Sequence, residues 1–68
     1  MTRGKVKYFN ELKGWGIIAG EDPREDIYVH YTAIRMNGFK TLKAGQDVFY
    51  ELAQTGKGLQ AQNVTLAG

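Results

Sequence analysis

Lys13-Gly14-Trp15-Gly16-Ile17-Ile18 and Ile27-Tyr28-Val29-His30-Tyr31 decide how this chain folds, because large side chains recur in them at every second residue. Successive side chains of a β-strand point to opposite faces, so Trp15 and Ile17 share one face and Tyr28 and His30 share another. Ile18, Ile27 and Val29 point away from those faces and are predicted to build the core. The flat rings are then left outside on one continuous surface. Rings on a strand surface, interleaved with lysine, suit a single-stranded nucleic acid, whose bases offer π-faces and whose linkages carry phosphate charge.

Working outward, turn signals fall at intervals suited to about five short strands, and no linker, repeat or low-complexity tract interrupts them. The predicted strands cover residues 5–10, 14–20, 26–30, 47–53 and 60–66, each with β-branched or aromatic residues. Asn10-Glu11-Leu12-Lys13-Gly14 reads as a tight hairpin connection, and Pro23 sits in a longer turn because proline cannot donate to a sheet ladder. Between Tyr31 and Gln46 the alternation fails, so this is the longest irregular connection, with one helical turn expected over 32–35. On the fourth strand Val48, Tyr50 and Leu52 share a face, as do Val64 and Leu66 on the fifth, and these are assigned to the core while Phe49 points the other way. Tyr8 and Phe9 are adjacent and cannot both face one way on a regular strand, so a bulge or the burial of one ring is expected. Glycines near strand ends and bends fit a small, strongly coiled barrel. The expected architecture is a single all-β domain, 1–68, folded as a five-stranded antiparallel barrel.

Composition narrows the function. A chain of 68 residues forms one small domain, and a domain this short buries only about 60% of the surface of its unfolded chain. It has no cysteine and one histidine, which removes a disulfide framework and a clustered zinc site. No stretch approaches the roughly 18 apolar residues of a transmembrane helix, and the basic start, Met1 to Lys5, has no apolar run after it. A soluble, unprocessed, cytoplasmic protein is expected, with no membrane or small-molecule partner and no cofactor. The formal charge of +2 says less than its distribution: Arg3, Lys5, Lys7 and Lys13 gather near the first ring segment. Glu21, Asp22, Glu25 and Asp26 cluster in the turn that follows, a solvated loop and the one candidate for metal-binding acids. Enzyme activity is not expected: there is no Gly-Lys-Ser/Thr phosphate loop and no carboxylate pair on the ring face.

Over essentially its whole length the chain resembles the bacterial cold-shock protein family, a five-stranded oligonucleotide-binding barrel with two ribonucleoprotein motifs on neighbouring strands. The resemblance rests on Gly4-Lys5-Val6-Lys7-Tyr8-Phe9-Asn10, on 13–18 and 27–31 as the two motifs, and on Gly38-Phe39-Lys40-Thr41-Leu42 and Ala61-Gln62-Asn63-Val64. It implies that Lys7, Tyr8, Phe9, Asn10, Lys13, Trp15, Ile17, Tyr28, His30, Tyr31, Phe39 and Lys57 occupy the family's binding positions. Tyr8 stands where tryptophan is common, and Trp15, Tyr28 and Tyr31 where phenylalanine is common. Ile17 stands where a second motif ring usually stacks, beside the enlarged platform of Trp15.

In that setting Trp15, Tyr28 and His30 are the leading stacking residues, with Tyr31 and Phe39 extending the platform from the loops. Tyr8 is expected outside, with Phe9 either at the rim of the face or in the core. Asn10 either holds the first hairpin or reads a base edge, and Lys7, Lys13 and Lys57 neutralise phosphates. The partners expected are single-stranded RNA and DNA, and the expected role is that of an RNA chaperone and regulator of transcription or translation. The alternative is a protein-interaction barrel that uses the same rings as a binding patch.

Overall fold

The computed structural model describes every residue except Pro23, Asn37, Phe39 and Gly68. Five strands, β1 (Thr2–Asn10), β2 (Trp15–Ala19), β3 (Asp26–His30), β4 (Asp47–Thr55) and β5 (Gly58–Leu66), close into a barrel in the order β1-β2-β3-β5-β4. A single turn of 3-10 helix, Tyr31–Ala33, follows β3, one residue earlier than the helical turn expected. Strands β1, β4 and β5 run further than their β-forming residues suggested, because backbone pairing carries them through Thr2, Thr55 and Gly58.

Alternation drives this closure. Ile18, Ile27 and Val29 are buried on the inner faces of β2 and β3, where they meet Val6, Val48, Tyr50, Ala61 and Val64. The irregular connection 31–46 also supplies core, through Ile34 and Leu42, neither of which belongs to a periodic run. Full burial of an aliphatic side chain contributes about 1.5–3 kcal/mol, so these two loop residues bind the connection to the barrel.

Two expectations need correction. The barrel is not wholly antiparallel: β3 and β5 pair in parallel at Tyr28 and Gln60, while β1–β2, β1–β4, β2–β3 and β4–β5 are antiparallel. Leu52 and Leu66, assigned to the core, are 48% and 47% exposed. The cause is coverage rather than direction. Strand β1 pairs with β4 only from Asp47 to Tyr50, so Leu52 lies on the part of the β4–β5 ribbon that β1 does not flank, and Leu66 ends β5. An inward-facing residue is buried only where neighbouring strands continue past it.

The ring face depends on two glycines. Gly16 is buried against β1, and a Cβ there would lie 2.3 Å from the Tyr8 carbonyl oxygen and 2.8 Å from Phe9 Cδ1. Only a residue without a side chain lets β1 and β2 approach so closely at this point. Gly14 takes φ +77°, and its Cβ position lies 2.7 Å from the Tyr31 ring. It therefore both turns the chain into β2 and lets the turn after β3 rest on the first hairpin.

Candidate nucleic-acid interface

The register arranges the outer face of β1, β2 and β3 as two rows. Tyr8, Ile17 and Tyr28 oppose one another in the first row, and Asn10, Trp15 and His30 in the second. Diagonal neighbours on adjacent strands lie within reach of aromatic side chains. Trp15 therefore touches both tyrosines: its ring centroid lies 5.9 Å from Tyr8, edge-on at 69°, and 5.8 Å from Tyr28, stacked at 25°. Edge-on and offset-stacked pairs are the arrangements the ring quadrupole favours. Ile17 puts an aliphatic surface between the two tyrosines of its row.

Adjacent Tyr8 and Phe9 resolve by both expected devices. The β1–β2 register shifts between Val6 and Tyr8, which turns Tyr8 outward, 47% exposed, and Phe9 packs partly buried against the core. Asn10 closes the hairpin: its Oδ1 accepts from the Lys13 N–H at 3.0 Å, and its carbonyl accepts from the Gly14 N–H at 2.8 Å. That oxygen is committed to the turn, which leaves the side-chain amide N–H groups to face outward chemistry.

His30 and Tyr31 continue the ring surface where β3 ends, with centroids 4.6 Å apart and planes tilted by 39°. His30 caps the 3-10 turn: Nδ1 accepts from the Thr32 N–H at 3.4 Å and lies 2.9 Å from Thr32 Oγ1. Its Nε2 is the ring nitrogen left for a ligand. The Tyr31 N–H donates to the Gly14 carbonyl at 2.9 Å, so the turn and the first hairpin are one unit. A cleft of about 420 Å³ opens beside them, lined by Leu12, Lys13, Tyr31 and Lys40 among others.

The cations stand at the margins of the rings. Lys7 on β1 reaches over β2 to Asp26 at the start of β3, 2.5 Å away, an exposed pair of the kind that contributes at most about 1 kcal/mol. Lys13 is exposed on the hairpin, and Lys57 lies in the β4–β5 turn, where it lines a hollow with Tyr28 and Gln60. In the acidic turn, the Arg24 guanidinium and N–H both reach Asp22 and hold its carboxyl below the usual range. No group of three histidine, cysteine or acidic residues that could hold a metal occurs among the described residues.

The structure thus brings Tyr8, Trp15, Ile17, Tyr28, His30 and Tyr31 onto one surface, with Phe9 beneath its edge and Lys7, Lys13 and Lys57 around it. Phe39 lies outside the described residues. Lys40, Arg35, Gln60 and Gln62, absent from the predicted set, also border the surface or its clefts. Their signal in the sequence is weak, since polar residues at a strand edge and in a loop look alike whether or not they face a ligand.

A closed five-stranded barrel that turns its rings outward on three adjacent strands is of the oligonucleotide-binding type. Residues 2–67 match the family described as the 'Cold-shock' DNA-binding domain, and the chain belongs to that family. It is 52% identical over 62 residues to the cold shock-like protein CspE of Buchnera aphidicola, covering 91% of this chain and 90% of that protein. It is 53% identical over 64 residues to the cold shock protein CspB of Bacillus caldolyticus, covering 94% and 96% of the two chains. Among solved structures, drosophila Unr CSD456 superposes with a TM-score of 0.80 at 13% identity over 98% of this chain, which spans 26% of that one. That likeness is one of fold. Membership of the family makes this a nucleic-acid-binding module rather than an enzyme. No helix among the described residues is long and apolar enough to cross a membrane.

Proposed function

We propose that the 68 residues act as a single cold-shock domain that binds single strands of RNA and DNA by stacking unpaired bases on Trp15, Tyr28, His30, Tyr31 and Tyr8. The observation that carries this reading is the contact of three exposed or half-buried rings, Tyr8, Trp15 and Tyr28, on adjacent strands. Duplex bases keep their faces stacked on one another, so only an open strand can use such a shelf. Lys7, Lys13 and Lys57 take the phosphates, and each neutralised phosphate adds about −0.7 to the slope of log K against log salt. Stacking itself survives salt.

A protein that binds only the open strand pulls a hairpin toward that strand by mass action, without an energy source. This is the basis on which we assign it the work of an RNA chaperone in the cytoplasm, with effects on transcription or translation following from the strands it holds open. The cold shock names of its relatives and the absence of cysteine accord with this role and compartment.

Trp15 is the sole tryptophan, so its fluorescence reports the centre of the face. Titration with short pyrimidine-rich single strands is expected to quench it, and matched duplexes are not. Absence of quenching, or equal quenching by both, rules the reading out.

A further inference from the structure

Strands β3 and β5 meet in parallel at Tyr28 and Gln60, and the chain touches β5 again at the bridge between Ile34 and Val64. Six steps from Tyr28 to Ile34 therefore run beside four from Gln60 to Val64, and the surplus arches out as the 3-10 turn. Beneath the arch lies a groove of about 470 Å³ bordered by Tyr28, His30, Arg35, Gln60, Gln62 and Asn63 among others. Since Tyr28 and His30 belong to the ring face, the groove opens directly from it. Among the described residues its lining contains no carboxylate, and the permanent cation there is Arg35.

Arg35 is held in place. Its Nε and Nη2 both donate to Asn63 Oδ1, at 2.9 and 2.7 Å, and its backbone N–H donates to the Val64 carbonyl at 2.7 Å. The acceptor is a neutral amide, so the guanidinium keeps its whole charge, and no ion pair engages it among the described residues. Its remaining N–H groups are available in a fixed fork that suits phosphate oxygens.

Asn63 is itself unusual, with φ 51° in the middle of β5 where the register against β4 shifts. Asparagine tolerates this left-handed conformation better than most residues, and glycine would adopt it more freely still. What asparagine adds is the amide that grips Arg35.

We infer that Arg35, positioned by Asn63, is a phosphate anchor that carries a bound strand off the rings and into the groove beside β5. This rests on the proposed strand-binding face and lengthens it. The ligand class is the sugar-phosphate backbone of the same single strand, and the Gln60 and Gln62 amides border the path of its bases.

The test measures oligothymidylate affinity across a salt series, using strands of about four and about nine nucleotides, within the range one such barrel covers. For the longer strand, Arg35→Gln is expected to reduce the salt slope by about 0.7 and to weaken binding, while affinity for the shorter strand holds. Asn63→Gly keeps the left-handed backbone and frees the guanidinium, so it weakens the longer strand alone. Arg35→Lys keeps the charge and retains the slope. An unchanged slope in Arg35→Gln, or equal weakening of both lengths, overturns the inference provided Trp15→Ala still weakens both strands. If Trp15→Ala weakens neither, the ring-face reading itself has failed.

Discussion

Replacing Trp15 by alanine removes the ring that joins Tyr8 to Tyr28 and leaves a gap at the centre of the proposed stacking shelf. A base stacked on an aromatic side chain contributes about 1–3 kcal/mol, so affinity for an unpaired strand is expected to fall about 5- to 160-fold. The substitution also loses two ring pairs, each worth about 0.5–1.5 kcal/mol beyond burial, and a lower thermal midpoint accompanies it. Because the variant has no tryptophan, binding is followed by the anisotropy of a labelled pyrimidine-rich strand well below the unfolding temperature. Trp15→Phe separates the two effects, since it keeps a stacking surface and one side of the pairing. A folded Trp15→Ala protein that binds within about twofold of the parent refutes the reasoning, because among the described residues no other ring contacts both tyrosines.

Ile17→Phe puts a ring between Tyr8 and Tyr28 in their shared row; titration should show tighter binding by up to the 1–3 kcal/mol or so of one further stacked base, and unchanged or weaker binding contradicts the role given to that position. Gly16→Ala drives a methyl to 2.3 Å from the Tyr8 carbonyl and is expected to lower stability by about 1–3 kcal/mol, read as a fall of about 4–8 °C in midpoint per kcal/mol. Burial, then the charges of Glu25 and Glu21, raise the Tyr50 phenol above its ordinary value. The unfolded chain therefore releases that proton first: the contribution is fully present below about pH 10 and is lost as pH rises through the folded value. Tyr50→Phe should flatten that alkaline decline in unfolding free energy, and an identical decline in both proteins argues against it.

Strands β2 and β3 were legible because their large residues alternate cleanly in side: Ile18, Ile27 and Val29 can only face inward if Trp15, Tyr28 and His30 face out. The same logic gave a direction for Leu52 and Leu66 but not their exposure, since alternation tells which way a side chain points and not whether another strand continues beside it. Ile34 and Leu42 reach the core from a stretch with no period, so no pattern announces them. The parallel meeting of β3 and β5 depends on an arch that closes only in three dimensions. The grip of Asn63 on Arg35, formed between residues 28 apart, is hidden for the same reason. Lys7, Lys13 and Lys57 could be placed near the rings by their positions on β1, the hairpin and the β4–β5 turn, but the engagement of Lys7 with Asp26 arises only when the barrel brings β1 to the start of β3.

The mutual bracing of Tyr8, Trp15 and Tyr28 has an entropic consequence. Side chains that would otherwise sample several rotamers are confined by their neighbours when the barrel forms, before any strand arrives. Immobilising a rotamer-rich side chain on association costs about 0.5–1.5 kcal/mol, and here much of that restriction belongs to folding instead. The shelf is stiff in advance, so an incoming strand has chiefly its own disorder to surrender.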